Sequence, residues 1–274
     1  MRERPRAPAR KRFGQHFLEP AWVVKVVRAI DPQPDQTFIE IGPGRGALTV
    51  PLLERAKAVM AFEIDRDLAV GLSGTNSRLT VVEGDFLESA EALRRGPATP
   101  MRVAGNLPYN VASPILFTLV ELYAAGVPLI DATLMLQREV ADRLVSGPGS
   151  REYGVLSVLV QYMADVELIL ALPAGAFRPV PRVQSALVRV RFHPPVQAAV
   201  DRSVFEGLVQ SVFTRRRKTL ANALLAFAPS SRVAPLLALR TAGLDGSRRP
   251  ETLALSEFVR LADAYVSISR GAVL

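Results

Sequence analysis

Asn106, Leu107, Pro108 and Tyr109, followed by Asn110, set a carboxamide, a main-chain carbonyl, a rigid ring and a flat aromatic face side by side. An amine attached to an aromatic base is a poor nucleophile, because its lone pair is delocalised into the ring. Two acceptors, the Asn106 side-chain oxygen and a neighbouring carbonyl such as that of Leu107, can take its two N–H bonds and draw the nitrogen toward a tetrahedral shape. Pro108 would stiffen the turn, and Tyr109 would offer a surface on which a base stacks. Such a string suits group transfer to an exocyclic adenine amine by positioning, without a strong base. A helix cap beside a core tyrosine would leave the same residues.

Three acidic positions complete this pattern. Glu40 precedes the glycine-rich turn Gly42-Pro43-Gly44-Arg45-Gly46-Ala47, whose glycines let a backbone turn tightly and approach a ligand closely. Gly42, Gly44 and Ala47 also satisfy a dinucleotide pattern, G-x-G-x-x-A. A pyrophosphate gains nothing from the Glu40 carboxylate, whereas the methionine part of S-adenosylmethionine carries an ammonium. Glu63 follows Gly46 by 17 residues, a distance at which a carboxylate accepts ribose hydroxyls. Asp85, between Gly84 and Phe86, can accept from an adenine amine while Phe86 or Ile64 packs on the ring. Any one of these acids is read equally well as a helix cap; three at consecutive strand ends are read as one site.

A proline-rich stretch, FRPVPRVQS (177–185), carries Phe177, which could stack on the opposite face of a flipped base, and Arg178 and Arg182, which could touch phosphates. Phe177 is equally read as packing. The run Arg215-Arg216-Arg217-Lys218 is a basic patch or a solvated helix start.

The elements that must hold these residues alternate. Apolar runs at 37–41, 58–64, 79–84, 101–106 and 131–137 are separated by stretches with helical spacing, which predicts an α/β fold with a parallel sheet. Runs at 166–172 and 185–192 would bring the sheet to about seven strands. Past the break HPPVQ (193–197) every apolar segment has helical period. Three regions are therefore expected: a basic tail over 1–18 that begins the cofactor site, a catalytic domain over 19–193, and a small helical domain over 194–274.

Charge follows the same division. The net charge is +8 over 274 residues, with +5 in 1–18, −2 in 19–193 and +5 in 194–274, a polarity suited to a polyanionic partner. With no cysteine and two histidines, His16 and His193, lacking partners at ligand spacing, no metal site is expected. No apolar run reaches the roughly 18–20 residues of a membrane span, and the basic start lacks the apolar segment of a secretory signal. A cytoplasmic monomer is expected.

Together these strings resemble the KsgA (RsmA) family of ribosomal RNA adenine dimethyltransferases. The matching segments are KRFGQHFL (11–18), EIGPGRGALT (40–49), FEID (62–65), GDF (84–86), NLPYN (106–110), LQREVADRL (136–144), FRPVPRVQSALVRV (177–190), FTRRRKTLANAL (213–224) and RRPETLALSEFVRLA (248–262). His16 stands where relatives carry Asn or His. The resemblance implies a Rossmann-like class I methyltransferase fold with a C-terminal all-helical domain. It implies S-adenosylmethionine as cofactor, held by His16, Leu18, Gly42, Glu63, Asp85 and Asn106. Asn106 and Tyr109 would serve the target adenine, with Phe177 as second stacking partner, and residues 215–218 would face RNA. The implied activity is dimethylation of two adjacent adenosines in the 3′-terminal hairpin loop of small-subunit rRNA, on rRNA or an immature subunit, linked to ribosome assembly.

The competing enzymatic reading is methylation of a large-subunit rRNA adenine. Those enzymes tend to carry serine and lysine in the first turn and isoleucine before Pro-Tyr, where this chain has Pro43, Arg45 and Leu107. DNA adenine methyltransferases share the asparagine chemistry but usually add a larger recognition domain. A non-catalytic assembly or transcription factor is opposed by the intact Asn106, Tyr109 and Glu63.

Overall fold

The computed structural model describes residues 16–96, 99–231 and 233–271. The tail over 1–15, most of the basic region expected from the sequence, lies outside the described residues. The chain packs as two compact units. One takes the chain up to Ala141 together with Asp165–Phe192; the other takes Asp142–Ala164 and His193 onward.

The first unit is built on strands β1 (Phe17–Leu18), β2 (Thr37–Ile41), β3 (Ala58–Glu63), β4 (Leu79–Glu83), β5 (Met101–Asn106), β6 (Leu129–Gln137), β7 (Ala164–Leu172), β8 (Phe177–Arg178) and β9 (Ser185–Phe192). Seven of them form one sheet in the order β4-β3-β2-β5-β6-β9-β7. The neighbours from β4 through β6 run parallel, and β9 runs antiparallel to β6. The central strands β2, β5 and β6 are buried almost end to end, as expected where both faces of a parallel sheet are covered. Strand order reverses between β2 and β5, so the crossover helices leave toward opposite faces and a crevice opens at the carboxyl ends of these two strands.

The pair β1–β8 forms a separate two-stranded sheet, with Phe17 opposite Arg178 and Leu18 opposite Phe177. Two-residue strands carry no readable alternation, which is why the sequence did not predict them. Helix Pro20–Ile30 follows β1 and buries Val26, Val27 and Ile30 against Phe38, Leu52 and Val59. Its last turn is held at the far edge of the sheet. Arg102 pairs bidentately with Asp131 (2.8 and 2.9 Å) and donates to the Ile30 and Asp31 carbonyls (2.8 and 3.1 Å). Arg189 adds a 3.7 Å ion pair to Asp131 and a hydrogen bond to the Ala29 carbonyl. Cations suit a helix carboxyl end, where main-chain carbonyls lack partners.

The second unit is helical. Helices Arg202–Phe213 and Leu255–Ser269 bury Phe205, Leu208, Val212, Phe258, Leu261 and Tyr265. Asp201 caps the first of these, accepting from Ser203 N and Val204 N at 2.9 and 3.2 Å. Segment 142–164, assigned from sequence to the catalytic domain, belongs here. Ser157 donates to the Arg143 carbonyl (2.5 Å), Tyr153 donates to the Leu253 carbonyl (3.1 Å), and the Tyr162 ring lies 4.4 Å from that of Phe205. In chain order the segment sits where a crossover between sheet strands belongs, so its apolar spacing alone could not reveal its partners.

Candidate functional site

The crevice at the switch point is a cavity of about 360 Å³, lined from the carboxyl ends of β2, β3, β4 and β5 and from β1. His16, Leu18, Glu40, Gly42, Gly44, Glu63, Asp85, Asn106, Leu107, Pro108 and Tyr109 all line it, so most of the predicted site residues meet in one place.

The glycine turn is braced from below. Gly44 has φ +59, and a Cβ there would stand 3.1 Å from the Phe17 ring, so both conformation and space call for glycine. The Glu63 carboxylate accepts from Gly44 N (2.9 Å) through one oxygen and from Asp65 N (2.8 Å) through the other. Burial pushes the Glu63 carboxyl above its ordinary value, and those main-chain donors oppose the rise. Glu40 is 1% exposed, and its Oε2 has no hydrogen-bond partner; neither does the buried Oγ1 of Thr49. Burial, with a smaller push from the Glu63 charge, raises the Glu40 carboxyl to about 8, and the Thr49 main-chain N–H partly opposes this. A buried carboxylate oxygen without a donor is costly, so this wall of the cavity is built to receive a cation or a hydrogen-bond donor.

Asp85 caps the short helix Phe86–Ser89 through Leu87 N (2.9 Å) while lining the cavity; cap and wall are both its place. Phe86 is buried edge-on to Phe62 with centroids 5.2 Å apart, and both Phe86 and the 45% exposed Ile64 offer apolar surface to that wall.

At the end of β5, Asn106 Nδ2 donates to the His16 carbonyl at 2.6 Å. Pro108 O is taken by Val111 N (3.1 Å), which leaves Leu107 O as the neighbouring main-chain acceptor. The Tyr109 hydroxyl bonds to Ser185 Oγ at 2.7 Å, and the His16 ring stacks on Tyr109 with centroids 5.7 Å apart. His16 Nδ1 in turn lies 2.6 Å from Pro179 O. Sequence reading missed Ser185 and Thr49 as neighbours of the site. Ser185 stood inside the proline-rich string, but nothing in that string says which hydroxyl a tyrosine 76 residues away will meet.

Phe177 departs from expectation. It is fully buried in the core with Leu18, Leu172, Ala176 and Leu187, and it does not line the cavity. Pairing with Leu18 directs it inward, so a stacking role would require it to leave this slot.

Of the residues expected to face RNA, Arg178 is exposed, ion-paired to Glu19 (3.4 Å) and bonded to its neighbour's carbonyl, while Arg182 is exposed. In the second unit Arg216 is half-buried, donating to Ser150 O (3.1 Å) with Glu251 at 4.0 Å. Arg215, Arg217 and Lys218 are exposed, Arg215 reaching the Asn222 carbonyl at 3.4 Å. Among the described residues, no group of three His, Cys, Asp or Glu side chains could hold a metal ion.

A seven-stranded, mostly parallel sheet whose cavity opens at the β2/β5 reversal, with acids at three successive strand ends, defines a Rossmann-like class I methyltransferase. Residues 6–264 match the family model described as ribosomal RNA adenine dimethylase, and the chain belongs to that family. It is 43% identical to the ribosomal RNA small subunit methyltransferase A of Acinetobacter baylyi, over 94% of this chain and 93% of that one. Among solved structures it is similar to the 23S rRNA methyltransferase ErmE (28% identity, TM-score 0.65, 91% of this chain and 99% of that one). A dimethyladenosine transferase from Plasmodium falciparum shares the fold (24% identity, TM-score 0.72, 90% and 96% covered).

Proposed function

We propose that this protein transfers methyl groups from S-adenosylmethionine to the N6 amine of adenosines in small-subunit rRNA. Two adjacent adenosines of the 3′-terminal hairpin loop are each methylated twice, in the course of ribosome assembly. The observation that carries this reading is the meeting of Glu40, Glu63 and Asp85 with Asn106–Tyr109 around one cavity. The small-subunit target is favoured by the 43% identity to a small-subunit enzyme against 28% to the large-subunit enzyme.

The residues present fit the cofactor. The unpartnered Glu40 oxygen suits the amino-acid ammonium, Gly42 and Gly44 permit close approach, and Glu63 and Asp85 offer acceptors for ribose and adenine, with His16 and Leu18 closing the wall. When bound, S-adenosylmethionine supplies an electrophilic methyl carbon on a sulfonium. Asn106 Oδ1 and the Leu107 carbonyl accept the two amine N–H bonds and aim the nitrogen lone pair at that carbon, while Tyr109 supports the base plane. Bound S-adenosylmethionine would supply the methyl group and leave as S-adenosylhomocysteine, and the amine's proton would pass to solvent. No side chain need act as a strong base, because positioning supplies the acceleration. Arg182, Arg215, Arg217 and Lys218 are the exposed cations best placed by their own surroundings to meet phosphates, with Arg178 released from Glu19. The protein acts as a cytoplasmic monomer.

Labelled methyl incorporation into unmethylated small subunits, methylated small subunits, large subunits and DNA tests the proposal, with Asn106→Ala as control. Label should enter only the unmethylated small subunits, and Asn106→Ala should abolish it while RNA binding persists. Preferential labelling of large subunits or DNA would overturn it.

A further inference from the structure

The chemistry proposed above needs the Asn106 carboxamide to present oxygen, not nitrogen, to the target amine. Flipped by 180°, the group would set its own N–H bonds against those of the substrate, and donor would face donor. The side-chain torsion that separates the two states is soft, so Asn106 does not choose its orientation unaided. A main-chain carbonyl can only accept. The His16 carbonyl, 2.6 Å away, therefore forces the nitrogen to its side and leaves Oδ1 on the other.

His16 is itself held at several points. Its ring nitrogen Nδ1 donates to Pro179 O (2.6 Å), and its ring lies on Tyr109 at 24° between planes. The next residue, Phe17, packs over Gly44 with the Arg45 guanidinium 4.1 Å above its ring, and Leu18 is buried in the core. The pairing of Phe17 with Arg178 brings Pro179 alongside.

We propose that His16 is a positioning residue: its carbonyl sets the flip of Asn106, and its ring, anchored on Pro179, steadies Tyr109. The inference rests on the methyltransferase reading, since only that reaction makes the flip decisive. Losing the imidazole frees residue 16 from Pro179 and Tyr109, and its carbonyl then ceases to dictate which end of Asn106 faces the cavity. Asparagine at this position can place an amide N–H where Nδ1 now stands, so His16→Asn should preserve the hold and His16→Ala should not.

The test has a structural and a kinetic arm. In the cofactor-free protein, the Asn106 side-chain amide signal is identified by its absence from the Asn106→Ala spectrum. Its protons should exchange slowly with water in wild type and His16→Asn, and fast in His16→Ala. In single-turnover methylation of unmethylated small subunits at saturating cofactor, His16→Ala should be slower by roughly tenfold to a hundredfold. Its affinity for the subunit should stay within about threefold, any loss of cofactor affinity is met by saturation, and His16→Asn should recover most of the rate. Equal exchange in all three proteins would overturn the proposal. So would a His16→Ala defect that more cofactor repairs, which would make His16 a cofactor contact only. If wild type methylates none of the substrates, the reaction assigned above fails, and the exchange arm still decides whether His16 orients Asn106.

Discussion

Glu40 and Phe177 show how differently two residues from matching motifs can be used. Glu40 is buried with an unpartnered oxygen and a carboxyl raised to about 8. A carboxyl whose folded-state value lies above its unfolded one favours the folded state most fully at low pH. That contribution fades as pH rises from about 4.5 through about 8, because the folded protein must then bury a charge. Glu40→Gln removes the titration, so in the absence of cofactor the variant's melting temperature should gain on wild type across this window and match it most closely near pH 5. Thermal melts at successive pH values check it, and parallel curves would show that Glu40 does not titrate there. The same variant should bind S-adenosylhomocysteine more weakly but methylthioadenosine, which has no ammonium, about as well. Phe177, fully buried, should behave as packing. Phe177→Ala should cost about 3–5 kcal/mol in unfolding free energy, whereas Phe177→Leu should keep most of both stability and methylation rate. A stable Phe177→Leu protein without activity would restore the stacking role.

Helix Pro20–Ile30 and the strand before it form the element on which the cleft depends, and the elements read from the sequence included neither. The strand runs predicted at 101–106 and 37–41 coincide with β5 and β2, because buried parallel strands read as unbroken apolar runs; those at 185–192 and 79–84 also match β9, antiparallel but largely buried, and the edge strand β4 to within a residue. The glycine turn and the acids at the strand ends were legible for a related reason: each lies where a periodic run stops. Nothing local announced that Asn106 would meet a carbonyl 90 residues earlier, or that Phe177 would point inward opposite Leu18. Those facts belong to β1–β8 pairing, which only the folded chain creates. The anchor of the same helix is equally non-local, since Arg102 and Asp131 lie on neighbouring strands and reach carbonyls of Ile30 and Asp31. Arg102→Ala would leave the buried Asp131 with only its 3.7 Å pair to Arg189 and two helix carbonyls without their donor, at a cost of up to about 3–5 kcal/mol. Trp22, the chain's one tryptophan, lies on that helix, so its fluorescence during urea unfolding reports the loss directly. A midpoint unchanged from wild type would mean that water satisfies the helix end.

Across the whole molecule the charge is divided in a way that suits a polyanionic partner, yet the structure discounts part of it. The sequence offers four consecutive cations at 215–218, but Arg216 is spent on Ser150 O and Glu251 within the helical unit. At most three side chains of this run, those of Arg215, Arg217 and Lys218, are therefore open to phosphates. Neutralising those three should weaken RNA binding at low salt. It should also reduce the slope of log affinity against log salt by up to about 0.9 for each phosphate no longer neutralised on duplex-like RNA, less where the RNA is single-stranded. Arg216→Ala alone should instead leave the slope near wild type and lower the melting temperature, because it removes an internal hydrogen bond and leaves the already under-partnered Glu251 carboxylate without its nearest cation. Binding titrations at several salt concentrations, paired with thermal melts, separate the two effects. An unchanged slope in the triple variant would make the run a solvated surface of the helical unit and move RNA recognition to the loop that carries Arg178 and Arg182.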